Sequence, residues 1–147
     1  MVIHNYDFTH IKMIRFHNTL TTLTSSEPNY KLVFHLGTDR NIPLLSCEEE
    51  QKDGVFHIYL PDVPTSTEKW SNVIKKQFSM MLQIAQKYST DYLSIVVGGT
   101  ARKESAAIAL HQSIREFIGA MYLIEFCMPD QETREAYERT ISPIYRS

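Results

Sequence analysis

The chain has 147 residues, 43% of them hydrophobic and 22% charged, which suits a single domain with a core of its own. Its formal net charge of -2 excludes a global basic field, so nucleic acid is not an expected partner. No apolar run reaches the roughly 18 residues of a membrane span, and Met1 to Thr9 lacks the basic and apolar regions of a signal peptide. The expectation is a cytoplasmic protein with no membrane partner.

Val2 to Tyr6 has strand character, and Ile11 to Leu23 shows helical spacing at Met13, Phe16, Leu20 and Leu23. Thr19, Thr21, Thr22 and Thr24 dilute that helix propensity. Tyr30 to Leu36 predicts a strand closed by Gly37, and Ile42 to Cys47 a second short one. The polar run Glu48 to Gly54 is expected to be a solvated turn. Val55 to Leu60 is the next strand, ended by Pro61. Thr65 and Glu68 have capping-box spacing, and Trp70, Val73, Ile74, Phe78, Met81, Ala85 and Tyr88 then mark one apolar helix face.

Tyr92 to Val97 suits a strand buried on both faces. Ala106, Ala107, Leu110, Ile114, Phe117 and Ile118 mark a second helix, with Gly119 at a C-cap position. Met121 to Cys127 is a further strand. Asp130 caps a last helix through about Arg139, with Pro143 near its end. From Val55 onward strands and helices alternate, which predicts an α/β fold: three layers, a mostly parallel central sheet flanked by helices.

Ligands bind such sheets at the carboxyl ends of the strands. Three loops are expected there: Gly37-Thr38-Asp39-Arg40, Pro61-Asp62-Val63-Pro64 and Gly98-Gly99-Thr100-Ala101-Arg102. The third is the sharpest feature of the chain. Gly98 and Gly99 allow close backbone approach, and the following helix start offers free N–H groups and a positive dipole end. Thr100 and Ser105 add hydroxyls, and Arg102 can fork onto a phosphate. The alternative is a plain strand-to-helix turn with a solvated arginine. The loop is neither a Walker loop nor Gly-x-Gly-x-x-Gly. Asp39 and Asp62 are carboxylates able to meet a sugar hydroxyl.

Cys47 and Cys127 are far apart in apolar stretches and read as reduced core thiols. The six histidines show no ligand spacing, and His35, His57 and His111 read as structural. No metal, cofactor or catalytic set is expected.

Over roughly residues 55 to 141 the chain resembles the macro domains, the ADP-ribose-binding modules. The resemblance rests on Val55 to Leu60, Met81-Leu82-Gln83-Ile84-Ala85, Leu93 to Val97 with its Gly loop, Ser105 to Leu110, and Leu123 to Cys127 followed by Asp130 to Tyr137. It implies a loop that wraps a diphosphate and ribose, with Gly98, Gly99 and Thr100 as binding residues. The family's Asn-Ala-Ala-Asn stretch and triple-glycine loop are missing, so the likeness implies binding of ADP-ribose or another phosphate-bearing small molecule rather than hydrolysis. A weaker likeness, to tyrosine and dual-specificity phosphatases over Phe56 to Leu110, matches Gly99 and Arg102 but puts Val96 at the nucleophile position. It implies a phosphate-binding domain without a covalent step. An interaction domain with a protein partner is the reading from a different class.

Overall fold

The computed structural model describes residues 10–17, 32–88, 92–98, 102–116 and 120–145. Six strands and three helices follow in order: β1 (His10–His17), β2 (Leu32–Thr38), β3 (Glu48–Lys52), β4 (Val55–Pro61), α1 (Trp70–Lys87), β5 (Tyr92–Val97), α2 (Lys103–Glu116), β6 (Ala120–Cys127) and α3 (Gln131–Tyr145). They form one mixed sheet in the order β1-β6-β5-β2-β4-β3. Every pairing is parallel except β3 with β4. The α/β alternation read from the sequence accounts for this arrangement, because each parallel pairing needs a crossover.

Alternation along the strands sorts the side chains. Phe34 and Leu36, Leu93 and Ile95, and Ile124 and Phe126 join one core with Ile74, Met81, Leu110 and Ile141 of the helices. α1 packs on α2 and α2 on α3. Val33, Ser94, Leu123 and Cys127, which alternate onto the opposite face, are buried as well. The sheet is therefore covered on both sides, as a parallel sheet requires.

Four expectations are corrected. The segment beginning at Ile11, read as a helix, is strand β1, parallel to β6 with Ile11 opposite Met121 and Phe16 opposite Phe126. Pairing along the sheet edge overrides a weak helical spacing in a stretch rich in Ile and Phe. Residues 18–23 of that expected helix lie outside the described residues, as do Val2 to Tyr6 and Gly119. Ile42 to Cys47 is a loop rather than a strand.

The polar run after it is β3, an edge strand exposed along its whole length, which is why its composition hid it. Its turn is only Asp53-Gly54, at φ 56 and 79, the two positive values of a tight hairpin. Finally, Thr65 and Glu68 do not cap α1. The helix starts at Trp70 behind Lys69 in the left-handed region, with no side-chain cap bond. Asp130 does cap α3: its Oδ1 accepts the Thr133 N–H at 2.8 Å, and the helix runs on past Arg139 to Tyr145 with Pro143 in its last turn.

Candidate functional site

β2, β5 and β4 end together. The Gly98 N–H donates to the Leu36 carbonyl at 2.8 Å, and the Asp62 N–H to the Thr38 carbonyl at 3.0 Å. A Cβ on Gly98 would meet Leu36 O at 3.1 Å and Gly37 O at 3.3 Å. Glycine is needed there because two backbones touch. Beyond these ends, a cleft opens between the sheet and the helices, enclosing about 430 Å³ counted out to its open mouth. Leu36, Gly37 and Gly98 line it at the sheet, Pro61, Asp62 and Val63 at the β4 end, and Trp70, Gln77, Ala106 and Tyr137 from the helices.

The walls are held by specific bonds. Trp70 is buried at the start of α1, and its Nε1–H donates to the Val63 carbonyl at 3.0 Å. Gln77, two α1 turns on, donates to the Leu44 carbonyl at 3.2 Å and the Pro61 carbonyl at 3.0 Å. Burial pushes the Asp62 carboxyl up, opposed by a hydrogen bond from the Val63 backbone. Burial also raises the Tyr137 phenol, which stays neutral at all ordinary pH.

The first helical bond of α2 runs from the Ala106 N–H to the Arg102 carbonyl at 2.9 Å. The amides of Lys103, Glu104 and Ser105 thus precede the ladder, with the positive end of the helix dipole behind them.

The structure thus brings Gly37, Asp62 and Gly98 to one cleft. Thr38 stands beside it with its hydroxyl committed to the Leu60 carbonyl at 2.9 Å. Asp39 is exposed and Ser105 half-buried, neither lining the cleft. Arg102, at φ 53, reaches across to the Thr65 carbonyl at 3.1 Å and stacks over Trp70 at 5.2 Å. It spans the gap between the Gly98 and Pro61 loops. Gly99, Thr100 and Ala101 lie outside the described residues. Gln77 and Tyr137 were not singled out from sequence, because helical periodicity assigns such positions to the core. A glutamine on an otherwise apolar face was the available signal.

A second polar cluster occupies the β2–β4–β3 corner. His35 Nε2 and His57 Nδ1 are 2.9 Å apart, and both rings stack near Tyr59. The Arg40 guanidinium lies 3.5 Å from the Tyr59 ring centre and pairs with Glu48 at 3.2 Å and Glu50 at 3.6 Å. Burial, then His57 and Arg40, lower the His35 pKa to about 4. Both cysteines are free, and among the described residues no group of His, Cys, Asp or Glu is placed to hold a metal ion. No described helix is long and apolar enough to cross a membrane.

No protein-family model matches the sequence, and no curated protein matches it. Solved structures do. A variant of the Oceanobacillus iheyensis macrodomain with ADPR superposes with a TM-score of 0.68 at 11% identity, covering 100% of this chain and 99% of that one. The same organism's macrodomain with ADP gives 0.65 at 10% identity, over 80% of this chain and 85% of that one. The Trypanosoma brucei macrodomain in complex with ADP-ribose gives 0.68 at 10% identity, over 86% of this chain and 68% of that one. This chain has the macrodomain fold. The likeness spans the described elements from β1 to α3, well beyond the segment from residue 55 that the sequence resemblance covered. In macrodomain terms the cleft lies where the sheet's parallel strands end, the general position for ligands in open α/β sheets.

Proposed function

We propose that the cleft binds ADP-ribose or a related nucleotide diphosphate, without turning it over. The diphosphate would rest on the loop from Gly98 to Arg102 and the unpaired amides at the start of α2, and Asp62 would accept a sugar hydroxyl. The observation that carries this reading is the convergence of three strand ends and the α2 start around one cleft, in a fold whose solved neighbours include complexes with ADP-ribose and ADP. Anions favour a helix start because its free N–H groups and dipole end act together. Arg102 supplies positive charge at the mouth and can exchange its Thr65 carbonyl for a phosphate oxygen, a stronger, charge-assisted partner. Asp62 is the one carboxylate among the described lining residues. No histidine, lysine or cysteine stands beside it there to complete a nucleophile–base pair.

The test is the melting temperature with and without millimolar ADP-ribose, with phosphate and AMP as controls. A ligand that binds only the native state raises it, by about 2.7 kcal/mol of stability at one hundred times Kd. A rise specific to ADP-ribose that shrinks in Arg102→Ala supports the reading. A rise with phosphate alone moves the protein to a simple phosphate cradle, and no rise with any of the three removes nucleotide binding.

A further inference from the structure

Among the described residues, Asp53, Lys69 and Arg102 are the ones other than glycine that hold a positive φ. Asp53 belongs to the β3–β4 hairpin turn, which requires it. Lys69 and Arg102, at φ 55 and 53, stand immediately before Trp70 and Lys103, where α1 and α2 begin. Both helices contribute walls to the cleft. A residue with a Cβ is disfavoured in the left-handed region, and it stays there only where its surroundings hold it.

One side chain joins these two positions. Arg102 donates from Nη2 to the Thr65 carbonyl at 3.1 Å, and its guanidinium lies over the Trp70 ring at 5.2 Å. Thr65 lies in the turn that leads into α1, where the Thr67 N–H donates to the Pro64 carbonyl at 2.9 Å. Trp70 is fixed by its own bond to the Val63 carbonyl. The start of α2 is thereby fastened to the start of α1 across the mouth of the cleft. The fastening is light. Arg102 is exposed, and an exposed cation–π contact shifts an equilibrium by roughly two- to fivefold. A contact of that strength keeps the closed form in the majority and leaves an open form populated beside it.

We infer that Arg102 is a latch: in the empty protein it holds the mouth of the cleft closed, and it must leave Trp70 and Thr65 before a ligand enters. The nucleotide reading above uses Arg102 only once the ligand has arrived; the latch makes access to the cleft a conformational step of its own. The sign of one rate separates the two roles. A residue that acts only as a cation speeds the approach of an anionic ligand, so weakening its grip brings no gain in association. Weakening a latch enlarges the open fraction, and association speeds up in proportion.

Arg102→Lys tests it, because the charge stays while the planar fork and the stacking go. Trp70 is the one tryptophan of the chain, so its emission reports on the latch without a label. Acrylamide quenching is measured on the empty wild-type chain and variant, and association with ADP-ribose is followed by stopped-flow emission, with calorimetry as an independent record of binding. The expected result is stronger quenching in the variant, because a ring only 5% exposed gains an uncovered face. Association should be roughly two- to fivefold faster, and dissociation should accelerate more, so that affinity still falls. Equal quenching in the two proteins would overturn the latch. So would association that is unchanged or slower in the variant, or Trp70 emission that stays constant while calorimetry records binding; in these two cases the nucleotide reading stands. Stronger quenching in the variant with no ADP-ribose bound by the wild-type chain would remove the nucleotide reading and leave the latch in place.

Discussion

Two corners of the sheet concentrate polar side chains, and they use them in opposite ways. The β2–β4–β3 corner is the richer in reactive residue types, with His35, His57, Tyr59, Arg40, Glu48 and Glu50. There the groups answer one another: imidazole to imidazole, guanidinium to ring and to two carboxylates. Tyr88 and Glu49 form another such pair close by. The cleft at the strand ends holds plainer residues, Gly98, Asp62, Gln77 and Tyr137, and they line open space. A candidate site is therefore marked less by which residues gather than by the open space they line. A self-satisfied cluster contributes to stability and pH dependence; a lined opening is available to a ligand.

That contrast breaks most directly at Gly98. A Gly98→Val change puts branched carbon against the Leu36 and Gly37 carbonyls, where even a bare Cβ is at 3.1 and 3.3 Å. Backbone must move, and destabilisation of about 2 to 3 kcal/mol is expected in urea unfolding. Loss of ADP-ribose binding should accompany it. A variant as stable as wild type would mean that the strand ends are looser than their hydrogen bond implies.

Gln77→Leu comes next. It keeps the side chain's bulk but strips the donors from the Leu44 and Pro61 carbonyls, so about 1 to 2 kcal/mol of stability should go. The same glutamine shows how far the sequence could be read. Alternating apolar segments made the α/β sheet legible, and the capping residue Asp130 and the Gly98 turn were legible locally. β1 was not, because its strand state depends on β6, more than a hundred residues away. β3 was not, because an exposed edge strand needs no apolar face, although Asp53-Gly54 is a strong hairpin signal. Gln77 and Tyr137 fit the helical core period in α1 and α3, and nothing in a linear pattern says that they line a cleft rather than a closed core. Arg102 illustrates the converse: its spacing suggested a phosphate ligand, and the fold gives it Thr65 and Trp70 as resting partners.

The paired corner should show itself in acid. His35 has its pKa lowered from 6.5 to about 4 in the folded chain, so the unfolded state binds the proton more readily. Stability from this group is intact above pH 6.5 and falls as pH drops toward 4. Between pH 7 and pH 5 the loss should be about 1 kcal/mol, after allowing for the solvent that reaches a half-buried ring. Unfolding curves at the two pH values, for wild type and His35→Phe, read it out: the variant should lose less. Equal losses in both would show that the ring titrates as if in water.

The smallest expected change is the most discriminating between the corners. Arg40 is well exposed, so Arg40→Gln removes ion pairs to Glu48 and Glu50 and a stacked cation at a cost of only about 0.5 kcal/mol. Yet Arg40 is one of the charges that keep His35 neutral. Removing it must raise the His35 pKa, and the acid loss of stability should begin at higher pH. Ring-proton NMR titration would follow that shift directly. The affinity for ADP-ribose should stay where it was, since Arg40 does not line the cleft. A variant with an unmoved His35 titration and weakened ligand binding would reverse the roles given to the two corners: the histidine cluster would belong to the site, and the open cleft would be an ordinary gap between sheet and helices.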